Sequence, residues 1–290
     1  MDHQEPMERS ASTERMQPIT SVNSGDGIPM GEDLYSFTIQ IVNVIFYGRP
    51  GPGNEWVLID AGMPKSGEKI IGEAVKRFGE DNPPKAIILT HAHFDHIGGL
   101  IDVLEKWDVP VYAHPLEIPY ITGMRDYPDP DMTVEGGMIA KMSKLFPTEA
   151  IDIGSRAYEL PEDGTVPHMP GWQWIHTPGH SEGHVSLFRE SDGALIAGDA
   201  FVTVKQDAMY KVMTQELELS GPPVYLTPDW ESAESSVKAL AMLQPRIALT
   251  GHGVPVSGEY LQNHLGRLAE HFKELAVPDH GKYVDGQDKE

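Results

Sequence analysis

The chain has 290 residues, 40% hydrophobic and 23% charged, an ordinary globular composition with enough length to bury a sizeable core, which excludes disordered, collagen-like and membrane-spanning classes. Acidic residues outnumber basic ones 44 to 22, for a formal charge of -22, and no Lys/Arg cluster interrupts them, so nucleic acid and other polyanions are excluded as partners. Cysteine is absent, which removes disulfides, thiolate ligands and Cys nucleophiles, and no apolar run approaches the length a bilayer requires. The expectation is a soluble, cytoplasmic protein with no membrane partner.

In chain order, residues 1–30 carry no continuous apolar stretch and read as a flexible polar tail, and residues 31–290 read as a single domain. "YSFTIQIVNVIFY" (35–47) predicts one or two strands, and "EWVLIDAG" (55–62) is a short apolar run closed by glycine. "KSGEKIIGEAVKRFG" (65–79) places Ile70, Ile71, Ala74, Val75 and Phe78 on one helical face. "KAIILT" (85–90) reads as a buried strand, with a helix predicted over 97–106. In the later half, "WQWIHT", "HVSLFRE" and "ALIAGD" follow one another with the turn "SDG" before the last, the signature of antiparallel pairing. A helix over 231–243, a strand "RIALT" and a helix over 257–276 complete the pattern. Two mixed sheets with outer helices account for this order. Two segments, 116–147 and 205–229, interrupt it as insertions; they hold Met124, Met132, Met138, Met142, Met209 and Met213, six of the 13 methionines. Those methionines suit an adaptable apolar lid beside a site, and equally the core or a homodimer contact.

"LTHAHFDHIGG" (89–99) crowds His91, His93, Asp95 and His96 together where an apolar strand ends. Alternate residues at a strand end point the same way, so His91 and His93 can present imidazoles to one point while Asp95 and His96 begin the next turn. The competing reading of this stretch alone is a histidine-rich surface loop with Asp95 capping a helix. Three further segments carry ligand-type residues beside glycine next to apolar strands: the His-rich "HTPGHSEGH" (176–184), which precedes a strand, "ALIAGD", which ends on Asp199, and "IALTGHG", which ends on His252. Four such strand ends favour a metal site over chance.

The set resembles the metallo-β-lactamase-fold hydrolase superfamily: its HxHxDH motif matches His91, His93, Asp95 and His96, its later His, Asp and His match His180, Asp199 and His252, and its early strand-end Asp matches Asp60 in "LIDAG". The resemblance implies a four-layered αββα sandwich. It also implies two divalent metal ions, zinc first with manganese or iron as the other expectations. One metal would take His91, His93 and His180, the other Asp95, His96 and His252, with Asp199 bridging. The implied reaction is hydrolysis of a small-molecule ester, lactone or thioester by a bridging hydroxide, with Asp95 as proton shuttle. Asp60 and His184 would orient ligands through hydrogen bonds.

Within the superfamily the acidic surface argues against RNA processing, His93 stands where flavodiiron enzymes have Glu, and too few residues follow His252 for the helical domain of a glyoxalase II. "TPGHSxGH" is shared with acyl-homoserine lactonases, but "GDAFVTVKQ" lacks the Tyr that such lactonases often carry after the bridging Asp. A mononuclear iron persulfide dioxygenase is the alternative from another reaction class.

Overall fold

The apolar run at 35–47 folds back on itself: strands β2 (Leu34–Ile39) and β3 (Val42–Tyr47) pair antiparallel through a turn that holds Gln40 at φ 60°. Strand β1 (Gly27–Met30) adds to the outer side of β2, and β4 (Val57–Ile59) pairs antiparallel with β3. Beyond β4 the pairing turns parallel, through β5 (Ile87–Ile88), β6 (Val111–Ala113) and β7 (Ala157–Glu159), giving a seven-stranded sheet in sequence order. Parallel neighbours need crossovers, and helices supply the first two. Helix Gly67–Phe78 buries Gly67, Ile70, Ala74 and Phe78, the i, i+4 rhythm of one face, against a core that includes Phe46, Trp56 and Leu100. The helix expected over 97–106 is instead two, Phe94–Ile97 and Leu100–Lys106, separated at Gly98 and Gly99.

The computed structural model describes residues 7–16, 20–134, 142–205 and 209–284, and the single domain expected over 31–290 divides into two units. The sheet just described belongs to the first, Met1–Pro128 with Pro147–Pro170. The second, Asp129–Phe146 with Gly171–Glu290, holds a five-stranded mixed sheet in the order β14-β13-β10-β9-β8. Its strands are β8 (Trp172–His176), β9 (Val185–Arg189), β10 (Ala194–Gly198), β13 (Ile247–Thr250) and β14 (Val256–Ser257). β8, β9 and β10 form the predicted antiparallel meander, whereas β10 and β13 pair parallel across helix Trp230–Met242. That helix and Gly258–Glu270 close a second core around Leu195, Val237, Leu261 and Leu265. The C-terminal helix expected to reach 276 stops at Glu270 and restarts as Phe272–Leu275.

Of the tail expected over residues 1–30, residues 1–6 and 17–19 lie outside the described residues. Among its described residues are the helix Ala11–Arg15, capped by the Ser10 side chain, a β-bridge between Glu8 and Asp152, and β1 itself. The partners that order this segment lie far along the chain, so a local pattern has nothing to register. The insertions also contain elements: helix Ile118–Ile121 in the first, and helix Met209–Thr214 with β12 (Leu217–Ser220) in the second, β12 pairing with β11 (Val202–Val204). Met124, Met132 and Met213 are 70%, 44% and 47% exposed, which removes the core-filling role for these three. Met142 is half-buried; Met138 and the side chain of Met209 lie outside the described residues. No described helix is long and apolar enough to cross a membrane.

Candidate metal centre

In the first unit the strand ends at β4 and β5 meet the short helix Phe94–Ile97. Three backbone hydrogen bonds join them: Ala61 N–H to the His96 carbonyl at 2.6 Å, Gly98 N–H to Gly62 at 2.7 Å and Gly99 N–H to Ala61 at 3.0 Å. This is why two glycines follow the histidines. A Cβ on Gly98 would sit 2.1 Å from the Pro64 nitrogen, and one on Gly99 would sit 2.7 Å from the Ala61 carbonyl. Gly98 has an ordinary helical φ of -62°, so the requirement there is for space and not for conformational freedom.

The close approach gathers the motif. The rings of His91 and His93 lie 4.8 Å apart and those of His91 and His96 4.1 Å apart, and all four of His91, His93, Asp95 and His96 are buried. Asp60 organises two of them. Its carboxylate accepts from the Thr90 N–H and hydroxyl, both at 2.8 Å, and from His96 Nδ1 at 2.9 Å. Because the Thr90 proton is committed to Asp60, its oxygen is left to accept from His91 Nδ1 at 3.1 Å. One carboxylate therefore assigns the Nδ1–H tautomer to both His91 and His96, which turns the lone pair to Nε2. Asp60 holds this position at φ 60°, a left-handed backbone that costs a non-glycine residue about 1–3 kcal/mol.

In the second unit His180, Asp199 and His252 come together: Nε2 of His180 and of His252 lie 3.6 and 3.2 Å from Asp199 Oδ2. Each is set by a different device. The turn at Pro178 and Gly179 rests on helix Trp230–Met242, where a Cβ on Gly179 (φ 133°) would meet the Ala233 nitrogen at 2.4 Å and where Ser236 donates to the Pro178 carbonyl at 2.7 Å. His180 Nδ1 lies 3.2 Å from the Thr227 hydroxyl, whose own proton goes to the Pro223 carbonyl at 2.8 Å; the same logic as at Thr90 turns Nε2 toward Asp199. The His252 carbonyl accepts from the Thr203 N–H at 3.1 Å and the Thr250 hydroxyl at 2.7 Å.

His184 acts behind this set. Its Nε2 accepts from the Asp199 N–H at 2.9 Å, so Nδ1 carries the proton and donates to Thr177 at 2.8 Å. The relay continues from Thr177 to Ser186 at 3.0 Å and from Ser186 to the Ala197 carbonyl at 2.9 Å, gripping β10 on both sides of its last turn. His176, the remaining histidine of "HTPGHSEGH", pairs at the surface with the Glu182 carbonyl at 2.8 Å.

Two supporting residues of the first unit escaped the sequence reading. Glu117, fully buried, accepts from the Ala92 N–H at 2.9 Å, between His91 and His93, and also from the Tyr127 hydroxyl. The Tyr127 ring stacks on Tyr120 at 3.8 Å and lies 4.2 Å from the His93 ring. Burial, and then the adjacent Glu117 carboxylate, push the Tyr127 hydroxyl well above its ordinary pKa, so it remains a donor. Both residues lie in the first insertion. Thr227 was missed in the second; a hydroxyl directly after the apolar turn Val224–Leu226 leaves no signal in sequence.

A donor set of imidazole nitrogens and carboxylate oxygens without sulfur, with three of the imidazoles held by their Nδ1 edges, fits divalent cations of intermediate hardness. The comparisons agree with that chemistry. The family model for the metallo-beta-lactamase superfamily matches residues 38–252, and the chain belongs to this superfamily of metal-dependent hydrolases, whose members hold divalent metals in His/Asp clusters. Its two mixed sheets with helices match the metallo-beta-lactamase fold. Among individual relatives, it is 50% identical over 258 residues to the probable metallo-hydrolase YflN of Bacillus subtilis, covering 89% of this chain and 98% of that protein. Among solved structures, TTHA1623 in a di-iron-bound form is 26% identical with a TM-score of 0.52, covering 81% of this chain and 96% of that one. A beta-lactamase domain protein from Burkholderia ambifaria, 17% identical with a TM-score of 0.57 and covering 89% of this chain and 79% of that one, shares the fold.

Proposed function

We propose that the seven side chains serve one dinuclear centre and that the enzyme hydrolyses a small, uncharged ester, lactone or thioester. In this reading, as the superfamily resemblance implies, His91, His93 and His180 would hold one metal, Asp95, His96 and His252 the other, and Asp199 would be a ligand to both. The observation that carries it is the common tautomer of His91, His96 and His180, each with its Nδ1 edge held by an oxygen and its Nε2 given to the ligand role. When bound, two divalent ions supply Lewis acidity and a nucleophile formed from water near neutral pH. The chain's own residues do the rest. Asp60 and Thr90 hold His91 and His96 in one tautomer; Glu117 fixes the backbone between His91 and His93; His184 holds Asp199 by its N–H. Asp95, with a second carboxylate oxygen, carries a proton to the departing group. Zinc remains the first expectation for the metal. The di-iron form of TTHA1623 supports iron as the second.

Elemental analysis should find close to two metals per chain, and a panel of esters, lactones and thioesters should be turned over in preference to phosphodiesters and β-lactams. One tightly held iron per chain, with oxygen consumed in the presence of a persulfide, would replace this reading with the dioxygenase one.

A further inference from the structure

Between His91 and His93 the backbone is held by side chains from another part of the first unit. Glu117, fully buried, accepts from the Ala92 N–H at 2.9 Å. The same N–H lies 3.1 Å from the Tyr127 hydroxyl oxygen, and that hydroxyl donates to Glu117. One residue on, the His93 carbonyl accepts from the His96 N–H at 2.8 Å and the Ile97 N–H at 3.2 Å, which opens the helix Phe94–Ile97. The main chain is fixed on both sides of His93, so its imidazole is placed by rotation about the side-chain bonds.

Two rings bear on that rotation. Tyr127 lies 4.2 Å from the His93 ring at an interplanar angle of 41°, and His91 lies 4.8 Å from it at 86°. Tyr127 is itself restrained, because Tyr120 stacks on it at 3.8 Å and 10° while its hydroxyl is tied to Glu117. The block they form is anchored away from the histidines. The Tyr127 N–H donates to the Thr148 carbonyl at 2.9 Å, the Ile151 N–H to the Tyr120 carbonyl at 3.1 Å and the Gly123 N–H to the Ile151 carbonyl at 2.9 Å. Glu117 is located in turn by its own N–H on the His114 carbonyl at 2.8 Å, directly after β6. The frame that places His93 therefore includes the 148–151 segment and the end of β6. Where Thr90 and Asp60 orient His91 and His96 at their Nδ1 edges, Tyr127 acts on His93 by ring contact.

We propose that Tyr127, held by Glu117, is the positioning residue for His93, and that the pair sets the affinity of the one metal that His93 would hold. The proposal rests on the dinuclear reading above, which makes His93 a ligand. An imidazole already held in place loses little rotamer freedom when it takes an ion, whereas a free one must first be ordered. Both residues act through His93, so neither is catalytic.

The test withdraws zinc from the full-length enzyme with the chromogenic chelator 4-(2-pyridylazo)resorcinol, which reads each ion apart from turnover. Tyr127→Leu should weaken one of the two zinc ions by about 10- to 100-fold and leave the other within about twofold, the range for partners that orient a ligand. Glu117→Gln should weaken the same ion by about tenfold. Tyr127→Phe keeps the ring and removes only the hydroxyl, and should cost about threefold. In the cobalt-loaded enzyme the visible absorption bands, which report the geometry around the ion, should change in Tyr127→Leu and be kept in Tyr127→Phe. Ile121→Val trims a fully buried side chain of the helix Ile118–Ile121; it should lower the melting temperature and move neither affinity. If Tyr127→Leu shows a folded melting transition and holds both zinc ions at wild-type affinity, or if Ile121→Val weakens an ion as strongly, the positioning role is overturned. Should Tyr127→Leu fail to fold, Tyr127→Phe and Glu117→Gln decide, and wild-type affinities in both overturn it. His93→Ala separates the proposal from the reading beneath it. Loss of one zinc in His93→Ala with none in the Tyr127 and Glu117 variants removes the positioning role alone, whereas retention of both ions in His93→Ala removes His93 as a ligand and the positioning role with it.

Discussion

The two units prepare their ligand candidates in contrasting ways. In the first, four side chains come from six consecutive residues, the helical turn that carries them is joined to the β4 end by three backbone hydrogen bonds, and a single buried carboxylate, Asp60, orients two of the imidazoles. In the second, three side chains come from three separate segments, the β8–β9 loop and the residues that follow β10 and β13, and each is oriented by a different neutral partner: Thr227 for His180, His184 for Asp199, and Thr203 with Thr250 for His252. A shared carboxylate concentrates the orienting work in one residue, whereas distributed hydroxyls spread it. The first unit should therefore fail sharply when its hub is changed, and the second by degrees.

The largest effect is expected from a ligand candidate itself. His180→Ala should lose one metal and nearly all turnover, read by elemental analysis beside kcat/KM. Retention of both metals and of activity would mean that the "HTPGHSEGH" turn contributes a different histidine. Next is the hub: Asp60→Asn replaces an acceptor that serves three donors by an amide that can satisfy fewer, and should cost about 100-fold in activity or metal affinity, the upper end for partners that orient ligands. His184→Ala should keep both metals and lose about tenfold, because it removes one hydrogen bond to the Asp199 N–H and leaves the Asp199 carboxylate in place. A larger loss for His184→Ala than for Asp60→Asn would reverse the contrast between the units. Thr227→Val, which removes a neutral acceptor from His180 Nδ1, should cost only a few-fold in kcat/KM.

The smallest effect concerns the N-terminal arm, residues 7–16. Hydrogen bonds from the Ser10 hydroxyl, and then from Ser12, lower the Glu149 pKa below its ordinary 4.5. A carboxylate lowered in the folded state stabilises the packed arm above its ordinary pKa, and this contribution fades as pH falls through the lowered value. Because the chain has no cysteine, Thr13→Cys introduces a sole thiol, and its rate of reaction with the acid-active reagent 4,4′-dithiodipyridine, taken relative to free cysteine at each pH, should rise a few-fold as pH drops below 4.5. The same variant with Glu149→Gln should label rapidly and without that pH dependence.

Local pattern made the HxHxDH turn legible, because ligands, glycines and the preceding apolar strand are all within a few residues of one another. It also gave the helix Gly67–Phe78, whose buried face repeats at i and i+4, and the β8–β9–β10 meander, whose turn residues are adjacent in sequence. The break between Phe94–Ile97 and Leu100–Lys106 was less visible, because Gly98 keeps a helical φ and the interruption is imposed by the neighbouring 61–64 loop. Glu117, Tyr127 and Thr227 were not legible at all: a buried Glu in a Pro-rich insertion has no local signature, and its meaning comes from the Ala92 N–H 25 residues away.

Residue type and order along the chain determined by themselves which side chains have the chemistry to bind a metal and that no cysteine sulfur is among them, since valence and softness do not depend on folding. Orientation was decided only by tertiary structure. The proton on an imidazole goes to whichever edge meets an acceptor, and for His91, His96 and His180 those acceptors are supplied directly or in relay by Asp60, Thr90, Thr227 and Pro223. The same holds for the arm, because its charges are matched by Asp102, Glu105 and Glu149, residues whose proximity arises only once the chain has folded.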